Sequence, residues 1–241
     1  MNTTHRINLW SSPRNISTAL MYSFAQRPDT QVVDEPLYAH YLLHQPTEAA
    51  HPGRAEILAS QENDGERVVT QLLNGHYATD AVVFKQMTHH LVRLDLGFLV
   101  AMKNVILIRD PRAILASFSK VVDQVSAEDI GLPQQYALYG HLQEDNALHA
   151  VLDSRRLLLD PKTQLERLCA ALDLPFYDKM LHWEAGARPE DGVWAPHWYA
   201  NVHRSMGFRP YQEKTYTLSP ALERIATEVA PLYEELLTAA L

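Results

Sequence analysis

Four stretches of the sequence hold residue types that bind anions or carry protons. Residues 11–18, SSPRNIST, offer hydroxyls at Ser12, Ser17 and Thr18, an amide at Asn15 and a guanidinium at Arg14. Asp34 and Glu35 are adjacent carboxylates. Lys85 is followed by Gln86 and Thr88, and Arg109 has Ser117 eight positions later. A guanidinium is a permanently charged planar fork able to hold two phosphate oxygens at once, and hydroxyls add donors around it. A carboxylate beside such an anion site can take a proton from an incoming nucleophile. The candidates for catalysis are therefore Glu35, Arg14 and Lys85. Those for holding a phosphorylated nucleotide are Ser12, Arg14, Asn15, Ser17, Thr18, Arg109 and Ser117.

For these residues to meet, the chain has to bring distant segments to one place. Short apolar runs at residues 7–10, 31–33, 81–84, 105–108 and 156–159 predict strands. Three-to-four apolar spacing at 17–27, 91–102, 112–122 and 162–172 predicts helices between them. That alternation is the rhythm of an α/β fold: a parallel central sheet with helices on both faces. Asp110-Pro111 and Asp160-Pro161 each place an N-capping aspartate before a proline suited to the first helical turn. Residues 46–74, with Pro52-Gly53 and Asp64-Gly65, read as an excursion over the sheet. With no linker in sight, residues 1–241 read as one domain: a core of about 5–176, then an aromatic, irregular lid and a C-terminal helix over 177–241. That helix is expected to start at Pro220 and to break near Pro231. In open parallel sheets, ligands bind beyond the carboxyl ends of the strands. Ser11, Ser12 and Arg14 follow the first predicted strand, Asp34 and Glu35 the second, Lys85 the third and Arg109 the fourth, so one sheet edge carries three cations and two carboxylates.

Taken singly, each signal has a plain structural reading. The first loop could be an ordinary crossover turn, Arg109 a surface arginine pairing with Asp110, and Lys85 a strand-end charge reaching solvent. The loop has no glycine and lacks the GK[ST] ending of a phosphate-binding Walker A loop. Taken together, SSPRNISTAL and VILIRDPRAILASF resemble the two nucleotide-binding motifs of the sulfotransferase family, which uses 3′-phosphoadenosine 5′-phosphosulfate (PAPS) as donor. The resemblance implies that the first loop grips the 5′-phosphosulfate and that Arg109 and Ser117 grip the 3′-phosphate. VVDEPLYAHYL is similar to the segment that holds the catalytic glutamate of carbohydrate-type members, which puts Glu35 in that place. RRLLLDPKTQLERLCAALDLPF resembles the family's late strand and helix, so the likeness runs over most of residues 7–176. It implies a P-loop-like architecture and metal-free sulfuryl transfer to a hydroxyl or amine of a small-molecule acceptor. The first loop departs from the family, where lysine and a nearby glycine are common, so both Arg14 and Lys85 stand as the cation touching the transferred group. Asp34 is an alternative base, because successive residues of an extended segment face opposite ways.

Rival readings are a small-molecule phosphotransferase, a pyridoxal-phosphate enzyme with Lys85 as its Schiff-base lysine, and a nucleotide-binding protein without catalytic activity. Twelve histidines invite a metal, and His40 and His44 share a helical face, yet no HExxH or CxxC pattern completes a site. Trp194, His197, Trp198, His203 and Arg204 could form an adenine cover or acceptor pocket, or could be aromatic packing under the lid. Net charge −8 argues against a duplex-binding surface, since affinity there comes mainly from counterion release. The start of the chain lacks a basic stretch leading into a long apolar run, and no segment approaches membrane-spanning length, which makes a cytoplasmic location the expectation. Cys169, the one cysteine, falls on the apolar side of a predicted helix and is expected to be a buried structural thiol.

Overall fold

The computed structural model describes residues 4–45, 51–120 and 125–241. Five strands, β1 (His5–Ser11), β2 (Thr30–Asp34), β3 (Ala81–Met87), β4 (Lys103–Ile108) and β5 (Leu148–Asp153), form one sheet in the order β2-β3-β1-β4-β5. Every pairing is parallel. The helices are α1 (Ser17–Ala25), α2 (Tyr38–His44), α3 (Arg54–Ser60), α4 (Gly65–Asn74), α5 (Pro111–Phe118), α6 (Leu132–Glu144), α7 (Ser154–Leu159), α8 (Pro161–Ala171), α9 (Ala195–Trp198) and α10 (Pro220–Thr238).

The apolar runs are continuous because both sheet faces are covered. Trp10, Val82, Phe84, Ile106 and Val151 point to a core shared with α4, α5, α6 and α10. Ile7, Leu9, Val83, Leu107 and Leu152 point to the opposite core, where α1 and α8 pack. Cys169 lies in that second core, 1% exposed, and burial pushes its thiol up to about 11. Asp110 and Asp160 cap α5 and α8 as their sequences predict, each accepting from a first-turn backbone N–H.

Several expectations need correction. Residues 156–159 are not the fifth strand but the end of α7, whose cap Asp153 accepts from the Arg156 N–H; the strand is LHAVLD, whose apolar run His149 interrupts. Residues 91–102 form no α-helix. Only a 3₁₀ segment at Leu96–Ala101 is helical there, after Arg93 turns into the left-handed region at φ 54°. Helix α1 stops at Ala25 rather than residue 27, and α5 stops at Phe118, with residues 121 and 122 of the predicted span outside the described residues. The terminal helix runs unbroken through Pro231, since burial of Ala226, Val229, Tyr233 and Leu236 on one stripe outweighs the lost hydrogen bond. The described part of the 46–74 excursion contains α3 and α4.

Candidate functional site

The carboxyl ends of β1 to β4 open onto two neighbouring assemblies. The first is a cluster of charges beneath the lid. Lys85 is not a charge reaching solvent; it is 1% exposed. Its Nζ donates to Asp34 Oδ1 at 2.9 Å, to Tyr199 Oη at 2.7 Å and to Glu35 Oε1, which uses all three of its N–H groups. Asp34 and Glu35 do not face opposite ways. Glu35 adopts φ 40°, which breaks the extended alternation and turns both carboxylates onto one ammonium. This left-handed turn costs on the order of 1–3 kcal/mol for a residue with a side chain. It is held in place by the Glu35 N–H bond to the Lys85 carbonyl at 2.8 Å and by Gln61, whose amide donates to the Glu35 carbonyl and accepts from the Ala39 N–H.

The two carboxylates differ in what remains free. Asp34 accepts from Lys85, from Tyr199 Oη at 2.7 Å and from the Gly192 N–H at 3.2 Å. Glu35 is bonded through Oε1, while among the described residues no hydrogen bond reaches its Oε2, from which His90 Nε2 lies 4.0 Å away. Burial raises the Glu35 carboxyl above its ordinary range, with Asp34 adding to the rise and Lys85 opposing it. The pair of carboxylates holds the Lys85 ammonium well above its usual value in spite of burial. His90 stacks against Tyr38 and Tyr41 at 4.8 and 4.7 Å between ring centroids; burial keeps it neutral, well below its ordinary range.

The second assembly is a groove of about 870 Å³ between α5 and the irregular segment before α10, lined by Arg109, Ser117, Lys120 and Lys214 among others. Arg14 Nε donates to Ser117 Oγ at 3.1 Å, and Arg109 donates to the Arg14 carbonyl. Arg14, Arg109 and Ser117 thus meet, although 95 residues separate the two arginines. Among the described residues neither guanidinium has a carboxylate partner within ion-pair distance. Asp110, which would partner Arg109 in the plain surface reading, instead accepts from the Arg112 N–H and caps α5. Burial and the facing Arg109 lower the Arg14 guanidinium from its usual value. Arg14 itself sits at φ 58°, so the loop stores strain where a glycine would not.

Between the two assemblies lies the first loop. Ser12 Oγ is buried without a hydrogen-bond partner. Helix α1 has Ile16 at its N-cap and no side-chain cap, leaving the N–H groups beside Ser17 and Thr18 turned to the loop. Asn15 is occupied otherwise: its Nδ2 donates to the Leu107 carbonyl and its Oδ1 accepts from the Ile16 N–H, tying the loop to β4. Gly131, at φ 71°, backs the loop so closely that a Cβ there would lie 3.1 Å from Pro13 Cδ.

Of the aromatic tail, Trp194 and His203 bond within the irregular segment before α10 rather than line the groove: Trp194 Nε1 donates to Tyr199 Oη, and His203 Nε2 meets Asp191 Oδ2 at 2.9 Å. Trp198 packs with the lid cluster, His197 lies against Gly53, and Arg204 donates to Asn201 on the surface. Tyr199, Gln61, Lys120 and Lys214 carry no motif in the sequence. Among the described residues no group of three or more His, Cys, Asp or Glu could hold a metal ion.

A family described as sulfotransferase domain matches residues 5–234. Two Arabidopsis thaliana proteins named branched-chain-amino-acid aminotransferase-like proteins 1 and 2 are 41% and 39% identical over 228 residues, 94% of this chain. The chain spans 40% of the length of either. Among solved structures, a sulfotransferase domain from the curacin biosynthetic pathway superposes with a TM-score of 0.58 at 16% identity, covering 95% of this chain and 99% of that one. A sulfotransferase from Alicyclobacillus acidocaldarius gives 0.54 at 15%, covering 99% and 98%. A mouse sulfotransferase complexed with PAP gives 0.55 at 12%, covering 98% and 90%.

Proposed function

We propose that this chain, which belongs to the sulfotransferase domain family, transfers a sulfuryl group from PAPS to a hydroxyl or amine of a small-molecule acceptor, with Glu35 as the base. The observation that carries the reading is the meeting of Arg14 with Arg109 and Ser117, the latter two on the wall of a groove, two cations without a carboxylate between them. A dianionic phosphate is what such a pair lacks. The mouse neighbour solved with PAP supports the same ligand class.

The residues fit the donor. Arg109, Ser117 and Arg14 would take the 3′-phosphate, with Lys120 and Lys214 from the groove adding positive charge. The unpartnered Ser12 Oγ, the Thr18 hydroxyl and the uncapped N–H groups of α1 would take the 5′-phosphosulfate. Bound there, the donor supplies an electrophilic sulfuryl group and a phosphate leaving group. Glu35 accepts the acceptor's proton at Oε2, the oxygen its neighbours leave free, and its raised affinity for protons brings it toward neutral pH, where a general base works best. Lys85, its N–H groups already spent, holds Glu35 rather than the donor. No step calls for a metal, so turnover should persist in excess chelator; complete loss restored by magnesium would favour a phosphotransferase.

The deciding experiment needs no acceptor. Adenosine 3′,5′-bisphosphate should stabilise the fold far more than adenosine 5′-phosphate. At a hundredfold excess over Kd the gain is about 2.7 kcal/mol, a rise of roughly 5–10 °C in melting midpoint for a chain of this size. Arg109→Ala should weaken the bisphosphate roughly 10- to 150-fold and leave the 5′-phosphate nearly unchanged. Equal stabilisation by both ligands would remove the 3′-phosphate assignment and with it the main support for PAPS.

A further inference from the structure

Tyr199 takes no part in the reaction as described above, yet its hydroxyl spends its whole bonding capacity in the charged cluster. It donates to Asp34 Oδ2 at 2.7 Å and accepts from Lys85 Nζ at 2.7 Å and from Trp194 Nε1 at 3.1 Å. The ring is 5% exposed. The same Asp34 oxygen accepts the Gly192 N–H, so lid residues 192 and 199 converge on one atom of one carboxylate. The lid has its own fastening away from the cluster: Asp191 accepts from Tyr22 Oη at 2.6 Å and from the Arg188 N–H, and meets His203. A bridge from Tyr199 to the cluster is therefore not needed merely to hold the lid down.

Its effect follows from counting partners. Lys85 divides three N–H groups among Asp34, Glu35 and Tyr199, so a weaker hold on Asp34 by the lid draws the ammonium toward Asp34 and away from Glu35. The other groups facing Glu35 are His90, kept neutral by burial, and Tyr38, whose phenol burial raises above its usual range. Neither can replace the charge of Lys85. We infer that Tyr199 is a positioning residue: the seated lid, through its hydroxyl, sets how the Lys85 ammonium is shared between Asp34 and Glu35. The inference rests on Glu35 as the proton acceptor of the proposed reaction.

The test is a pH titration of Glu35 by difference infrared spectroscopy on the full chain without ligands, the carboxylic C=O band being identified by its loss in Glu35→Gln. Tyr199→Phe keeps the ring and removes the hydroxyl; the Glu35 midpoint should rise by about one pH unit. Replacing Tyr199 by 3,5-difluorotyrosine makes the hydroxyl a stronger donor to Asp34 and should move the midpoint the other way. Burial and Asp34 hold the Tyr199 phenol far above its ordinary range, which keeps the fluorinated ring protonated through the titration. Opposite shifts support the inference. An unchanged midpoint in both, or shifts of the same sign, overturns it, and the fluorinated protein decides alone should Tyr199→Phe fail to fold. Because neither donor nor acceptor is present, this titration can fail while bisphosphate binding succeeds, and the reverse.

Discussion

At the scale of single residues, the two adjacent carboxylates illustrate how environment divides labour between like groups. Asp34 is spent on three donors, while among the described residues no hydrogen bond reaches Glu35 Oε2, the oxygen proposed to take the proton. Glu35→Gln should therefore lower kcat about 10²- to 10⁴-fold with bisphosphate affinity preserved, as single-turnover rates and a melting shift would show. Asp34→Asn should behave differently: its amide presents a donor where donors already converge, so lid packing and thermal stability fall together with activity. Because burial raises Glu35, the acid limb of kcat/KM against pH should lie above the ordinary carboxylate range. An acid limb inside that range would place the base elsewhere.

At the scale of elements, one feature braces the first loop and another the groove. Gly131 opens α6 in the left-handed region against the Ser12-Pro13 turn. Gly131→Ala should cost about 1–2 kcal/mol of stability from the backbone alone, and its Cβ should push on the loop proposed to hold the phosphosulfate. Bisphosphate titration by calorimetry would then show weakened binding beyond the small loss in melting temperature. On the other side, Arg112 donates to both Glu223 oxygens and to the Tyr216 carbonyl, tying the segment with Lys214 to α5. The pair is solvated, so Arg112→Met should leave the fold intact while bisphosphate dissociates roughly two- to fivefold faster in stopped flow.

Over the whole molecule, the lid side is rich in imidazoles kept neutral by their surroundings. Burial, with His51 assisting, holds His89 at about 4, and His90 and His51 are lowered also. Each stays neutral in the fold to a lower pH than in the unfolded chain. Between about pH 6.5 and 4 the unfolded state thus binds more protons, and stability falls as pH falls through that window. Melting temperature should drop by several degrees from pH 7.5 to 5, and His89→Gln should flatten the decline. A melting temperature independent of pH over this range would contradict the assignment of neutral, buried imidazoles.

What the sequence by itself determined is what local chemistry dictates. Continuous apolar runs made β1, β3 and β4 legible; Asp-Pro pairs marked the starts of α5 and α8; and Arg109 was legible as the residue that follows β4, with Ser117 on the helix after it. The fifth strand was missed and a helix over 91–102 was expected in error, since short mixed segments take their form from what packs on them. Only the tertiary structure decided how Lys85, Asp34 and Glu35 relate, because a left-handed turn at Glu35 and a hydroxyl 165 residues from Asp34 are set by contacts between remote segments. The same holds for Arg14, whose guanidinium turns to Ser117 across 103 residues. Periodicity reports which side of its own element a residue faces; the partner waiting there depends on how the elements stack.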